Sequence, residues 1–298
     1  MAAAPAAPEV LTQAQWRERA AAHAGRVRPW VAPRLERRRT GRKHPVDDFL
    51  FDYYPYSPGR LARWEPGAGV GLEAPVPHLA AAQGFRERDG LVELDPDALP
   101  RQRRSLRPVR ALLAATAARR PLIGCSALHE WAMVYRVPQE QVRHADWPLR
   151  LQPDEVAEVV ERLGLRCTHF DAFRFFTPAA VPRNPLQLTR ADQRTVEQPG
   201  CLHATMDLYK WAAMLRPLLP AELVADTFAL ARRARELDMR AGPYDLRSLG
   251  LAPLLLEEPA GRAEFALLQR DLASAGQELR TRLLAAVDRA AQVLAAEN

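Results

Sequence analysis

Gln198-Pro-Gly-Cys-Leu-His-Ala-Thr-Met-Asp-Leu-Tyr-Lys-Trp211 is the stretch around which the chain is organised. It reads as a helix that begins after Gly200. His203, Asp207 and Trp211 then recur at i, i+4 and i+8, which puts them on one helix face. The same local grammar occurs twice upstream, in Cys125-Ser-Ala-Leu-His129-Glu130-Trp131 and in Cys167-Thr-His169-Phe-Asp171. Each cysteine is therefore close to a histidine that is followed by a carboxylate. Burying that many polar groups costs stability unless something offsets it. The three segments are expected to wall one site, and the chain is expected to be an enzyme.

Working outward, the chain of 298 residues has 48% hydrophobic residues, enough for a sizeable core. Helical periodicity dominates. Thr12 with Gln15 forms a capping-box pattern that opens a helix over 10–40, and Pro29 and Pro33 are expected to break or kink it. In His44-Pro-Val-Asp-Asp-Phe-Leu-Phe-Asp-Tyr-Tyr54, Pro45 fits a first helical position and Phe49, Leu50 and Tyr53 an apolar face. The Gly67-x-Gly69-x-Gly71 run lacks the gaps of a dinucleotide fingerprint and reads as an irregular loop. Asp89-Gly90 marks a turn between short strands near 84–94. Helices are expected over 105–119, 124–136, 221–240 and 260–297. A second strand element is expected within 148–176. There, alternation would place Cys167, His169, Asp171, Phe173 and Phe175 on one side. The expected fold class is mainly α, α+β with a minor strand element. It would form a single compact domain over 10–298 after a disordered tail, 1–9.

Composition narrows the setting. Three cysteines cannot all pair and show no disulfide spacing, which implies reduced thiols and a cytoplasmic location. No apolar run is long enough to span a membrane, and the Ala/Pro start is unlike a signal peptide. The net charge of +6 is uneven. Residues 1–64 carry 12 Lys/Arg against 6 Asp/Glu, and residues 101–120 carry seven Arg and no acid. Such basic regions make DNA a candidate partner, and a solvated surface is the plainer alternative.

Three chemistries suit the residues. A metal centre would use His129, His169 and His203 with Glu130, Asp171 and Asp207, and would suit zinc, iron or manganese. Metal-free acid–base chemistry would pair His203 with Asp207 or Asp171, with His169, His129 and Glu130 as further catalytic candidates. Trp131, Phe173, Trp211, Tyr209, Lys210 and Tyr244 would then hold a flat substrate. In the third, the groups are satisfied polar core pairs with cysteine filling gaps. Asp238 and Asp245 are second-rank candidates.

The segments 124–136, 167–176, 198–211 and 237–246, together with 44–54, resemble a bacterial, mainly actinobacterial family commonly labelled 3-methyladenine DNA glycosylase. The resemblance covers most of the chain from about residue 40. It implies a hydrolase that excises a modified base from DNA in repair. The chain has no helix-hairpin-helix followed by a Gly/Pro-rich loop and catalytic Asp, so no catalytic residue is carried over. The alternatives are a metal-dependent enzyme acting on a small molecule and a non-catalytic helical protein that binds nucleic acid or phosphate.

Overall fold

The structure is a computed structural model that describes residues 9–54, 56–80, 82–125, 127–138, 141–142 and 146–296. It is mainly helical with a small four-stranded sheet, as the periodicities imply. Of the expected disordered tail, residues 1–8 lie outside the described residues, and Glu9 already belongs to a strand. The chain divides into two compact units.

The first unit comprises residues 1–114, 208–229 and 279–298. It contains β1 (Glu9–Leu11), α1 (Gln13–Arg39), α2 (Phe49–Tyr53), α3 (Pro58–Ala62), β2 (Val70–Glu73), α4 (Pro77–Ala80), β3 (Phe85–Arg88) and β4 (Leu91–Leu94). Most of α5 (Pro100–Ala117) follows. The sheet order is β1-β2-β4-β3, with β1 parallel to β2 and the rest antiparallel. Asp89 and Gly90 both take positive φ (51° and 77°), the two-residue hairpin turn that Asp-Gly favours. The glycine-rich run, read as a loop, becomes β2 at Val70 because both β1 and β4 pair with it.

The capping box at Thr12 forms as its sequence predicts: Gln15 N–H donates to Thr12 Oγ1 and Thr12 N–H to Gln15 Oε1. The prolines do not break α1, which runs on to Arg39. Pro29 and Pro33 are one turn apart on the exposed side, where water can serve the carbonyls they leave unpaired. The opposite face buries Trp16, His23, Val27 and Val31. The 44–54 segment starts its helix at Phe49 rather than Pro45. Its Phe51 and Tyr54 join an aromatic core with Trp30, Tyr209 and Phe228, at ring separations of 5.0–5.9 Å.

The second unit comprises residues 115–207 and 230–278. It holds α6 (Leu128–Ala132), α7 (Pro153–Leu163), α8 (Phe170–Phe173) and α9 (Gln193–Val196). It also takes the start of α10 (Leu202–Met214), the end of α11 (Ala221–Ala241) and the start of α12 (Pro259–Ala296). The strand expected within 148–176 does not form. Outside α7 and α8, the segment contributes only an isolated bridge between Leu149 and Tyr244. After α7 the chain is extended, but a side chain takes the place of a partner strand. Asn184 Oδ1 accepts from Cys167 N–H at 2.7 Å, and Asn184 Nδ2 donates to the Cys167 carbonyl at 3.1 Å. With those backbone groups satisfied, nothing extends a ladder and the chain turns into α8 at Phe170.

One buried ion pair in the first unit offers a test of its packing. Arg216 donates to Glu65 Oε2 at 2.8 Å, to the Arg63 carbonyl at 2.7 Å and to the Arg60 carbonyl. Glu65 is buried, and its other contact is the more exposed Arg63. Arg216→Ala is expected to lower stability to urea by about 3 kcal/mol, the cost of stripping a buried charge of its partner. A loss below about 1 kcal/mol would show the pair to be effectively solvated.

Candidate functional site

All of the groups that form the site lie within the second unit. The first turns of α10 carry His203 and Asp207 inward. Gly200, just before this helix, lies so close to Leu122 that a Cβ would sit 2.6 Å from the Leu122 carbonyl oxygen. Gln198 Oε1 accepts from both Leu122 N–H and Gly200 N–H, and Gln269 of α12 donates to the Gly200 carbonyl at 2.7 Å. The entry to α10 is thus fixed from both sides. On α12, Gly276 leaves room for Thr205, whose Oγ1 would be 3.3 Å from an added Cβ.

Two buried triads form on adjacent turns of α10. In one, His203 meets His129 of α6 and Asp238 of α11. In the other, Asp207 meets His169, just before α8, and Glu197, just after α9. Within each triad, donor atoms lie within 4.8 Å of one another. None of the six residues is more than 7% exposed. His203 links the triads, with its ring 4.5 Å from that of His129 and 5.4 Å from that of His169. The three histidines that the cysteine-containing segments carry do converge.

The carboxylates are held from behind. Asp238 directs Oδ2 to Arg235 at 3.0 Å and Oδ1 to His129 Nε2 at 2.8 Å. Glu197 accepts from Thr116 Oγ1 at 3.1 Å and from Gln193 Nε2 at 2.8 Å, and its Oε2 lies 3.5 Å from His169 Nε2. Asp207 Oδ2 lies 3.4 Å from the same nitrogen. Despite these short distances, neither His129 Nε2 nor His169 Nε2 points its N–H along a hydrogen bond. The contacts are close approaches of polar atoms rather than completed hydrogen bonds.

The other expected residues are placed as follows. Glu130 is fully buried and accepts from Arg235 at 2.7 Å, as Asp238 does at 3.0 Å, so Arg235 clamps both acids. Asp171 turns to Arg190, which donates to both its oxygens at 2.9 and 2.6 Å, and to Arg174 at 3.2 Å. The helix at α8, in place of a strand, is what separates its direction from that of His169. Trp131 is buried with its Nε1–H on the Ala241 carbonyl, and Phe173 packs on Phe176. Tyr244 is buried beside the Leu149 bridge. Tyr209, Lys210 and Trp211 belong to the first unit, where Tyr209 is core and Lys210 covers the Trp211 ring. Asp245 pairs with Arg247, whose bonds hold its carboxyl at about 2.

Glu197 and Arg235 carry no local pattern that would have singled them out. A weak cue existed for Asp238, which follows Arg235 at i+3. The cysteines line a narrow cavity with His129, with room on the order of one water molecule. Burial pushes the Cys167 thiol up to about 12 and raises those of Cys125 and Cys201. These groups remain thiols at neutral pH, which disfavours a covalent cysteine mechanism.

Comparison with known protein families, curated proteins and solved structures finds no match to this chain. Among the described residues, no helix is long and apolar enough to cross a membrane.

The imidazoles respond to this setting. Burial disfavours a charged His129, but the carboxylates of Asp238 and Glu130 outweigh it and raise its pKa. For His169, burial is likewise outweighed by Asp207, Glu197 and Asp171. Both values lie above the unfolded value of about 6.5. The stability these charges supply is therefore fully present below that value and lost as pH rises through the folded values. The thermal midpoint of metal-stripped protein should fall as pH rises above about 6.5, and fall less in His169→Gln. A flat profile in the parent protein would show that these imidazoles are neutral throughout.

Proposed function

We propose that this chain is a metal-dependent enzyme acting on a small molecule. The observation that carries the reading is the pair of buried His/carboxylate triads on α10. Imidazole and carboxylate donors suit zinc, iron or manganese. A bound divalent ion would supply Lewis-acid activation of a substrate oxygen or of water at neutral pH. His129, His203 and Asp238, or His169, Glu197 and Asp207, would hold it. Arg235, Thr116 and Gln193 would orient the ligating carboxylates. The narrow cavity beside His129 has too little room for a flipped nucleobase.

The family resemblance supports a second reading, base excision from DNA, with Asp207 steadying the sugar cation and His203 as its proton partner. Asp171 is a weaker candidate for that role because Arg190 and Arg174 occupy it. The aromatics Trp131 and Phe173 are packed into the core rather than offered as a slot.

Elemental analysis divides the two. Protein purified without chelator should carry stoichiometric zinc, iron or manganese, and His203→Gln should lower that content. If metal-free protein instead releases free base from alkylated duplex DNA, and Asp207→Asn abolishes the release, the excision reading replaces this one.

A further inference from the structure

Resting on the metal-dependent reading, we propose that the site takes two divalent cations in unlike positions, and that the pair favours a substrate with an anionic group. His129, His203 and Asp238 make the nitrogen-rich position. His169, Glu197 and Asp207 make the oxygen-rich one.

Donor spacing is the first argument. Ligand atoms about 2.1 Å from an ion lie about 3.0 Å apart in octahedral and about 3.4 Å apart in tetrahedral arrangement. The observed spacings are 2.8 Å for His129 to Asp238, 3.4 Å for His169 to Asp207 and 3.5 Å for His169 to Glu197. His129 Nε2, His169 Nε2 and Asp238 Oδ1 are buried, with no hydrogen bond that fits their geometry. Such atoms are costly in a folded core unless a ligand meets them.

Charge is the second. Glu130, Glu197, Asp207 and Asp238 are four buried carboxylates, and the buried Arg235 pairs with two of them, Glu130 and Asp238. With the imidazoles neutral, as metal ligation requires, these five groups carry a formal net charge of about −3, which a buried site must offset. One dication leaves about −1. Two leave about +1, which an anionic substrate group or a bound hydroxide would balance.

The donor sets also differ in character. Two imidazoles and one carboxylate suit zinc or iron. One imidazole and two carboxylates lean towards manganese or magnesium. The positions should therefore fill in sequence rather than together.

The test uses the full chain, stripped with chelator and dialysed against zinc or manganese, with bound metal measured by elemental analysis. The parent protein should hold two equivalents of manganese at saturation. Asp238→Asn and Glu197→Gln should each retain one, and the double variant none. Inorganic phosphate should tighten retention of the second equivalent in the parent protein. One equivalent in the parent, lost on either substitution, would overturn the two-ion proposal and leave the metal-dependent reading standing. No bound metal in the parent would overturn both. The parent stoichiometry needs no variant, so the test survives a misfolded substitution. His129→Gln and His169→Gln provide a second pair for the same positions.

Discussion

Buried negative charge governs this structure. Around the first turns of α10 lie four buried carboxylates, and two of them, Glu130 and Asp238, pair with the buried guanidinium of Arg235, in a region from which water is largely excluded. A core of this kind is stable only if positive charge enters it. In the metal-free chain protonation of His129 and His169 would supply it, and the neighbouring carboxylates raise the pKa of both imidazoles despite burial. Metal ions would supply it in their place, releasing those protons. The two states share one requirement, so the arrangement of the second unit follows from how the acids are held.

The holding is done by groups of quite different kinds. Arg235 fixes Glu130 and Asp238 together, so two helices, α6 and α11, are tied at one point. Thr116 and Gln193 fix Glu197. Gln269 and Gln198 fix the entry to α10 through Gly200, a position where a larger residue would collide with Leu122. The cysteines take a different part. Their thiols remain protonated and fill space beside the imidazoles, as small apolar groups do. The repeated Cys/His pattern therefore marks shared packing around one cavity as much as shared chemistry.

Much of this was legible in the residues. The spacing of His203 and Asp207 placed both on one face of a helix, and that helix carries both triads. The Thr12 capping box and the Asp89-Gly90 turn each appear where their residues put them. These are local effects, decided by groups within four residues of one another. Pro29 and Pro33 misled because their cost depends on which side of the helix meets water. The alternation from Cys167 to Phe175 misled for a related reason. An extended chain becomes a strand only when another strand completes its hydrogen bonds, and here Asn184 does so instead.

The sequence by itself determined the helical character of the chain, the positions of its turns and caps, and the candidate histidines. Those follow from short-range sterics and hydrogen bonding, which are the same in any context. Only the tertiary structure decided which acids meet them. Asp171, two residues from His169, went to Arg190, while Glu197 and Asp207, distant along the chain, took its place beside the ring. Asp238 and Arg235 entered from another helix altogether. A carboxylate finds its partner by distance and dielectric in the folded core, and neither quantity is written in the order of the residues.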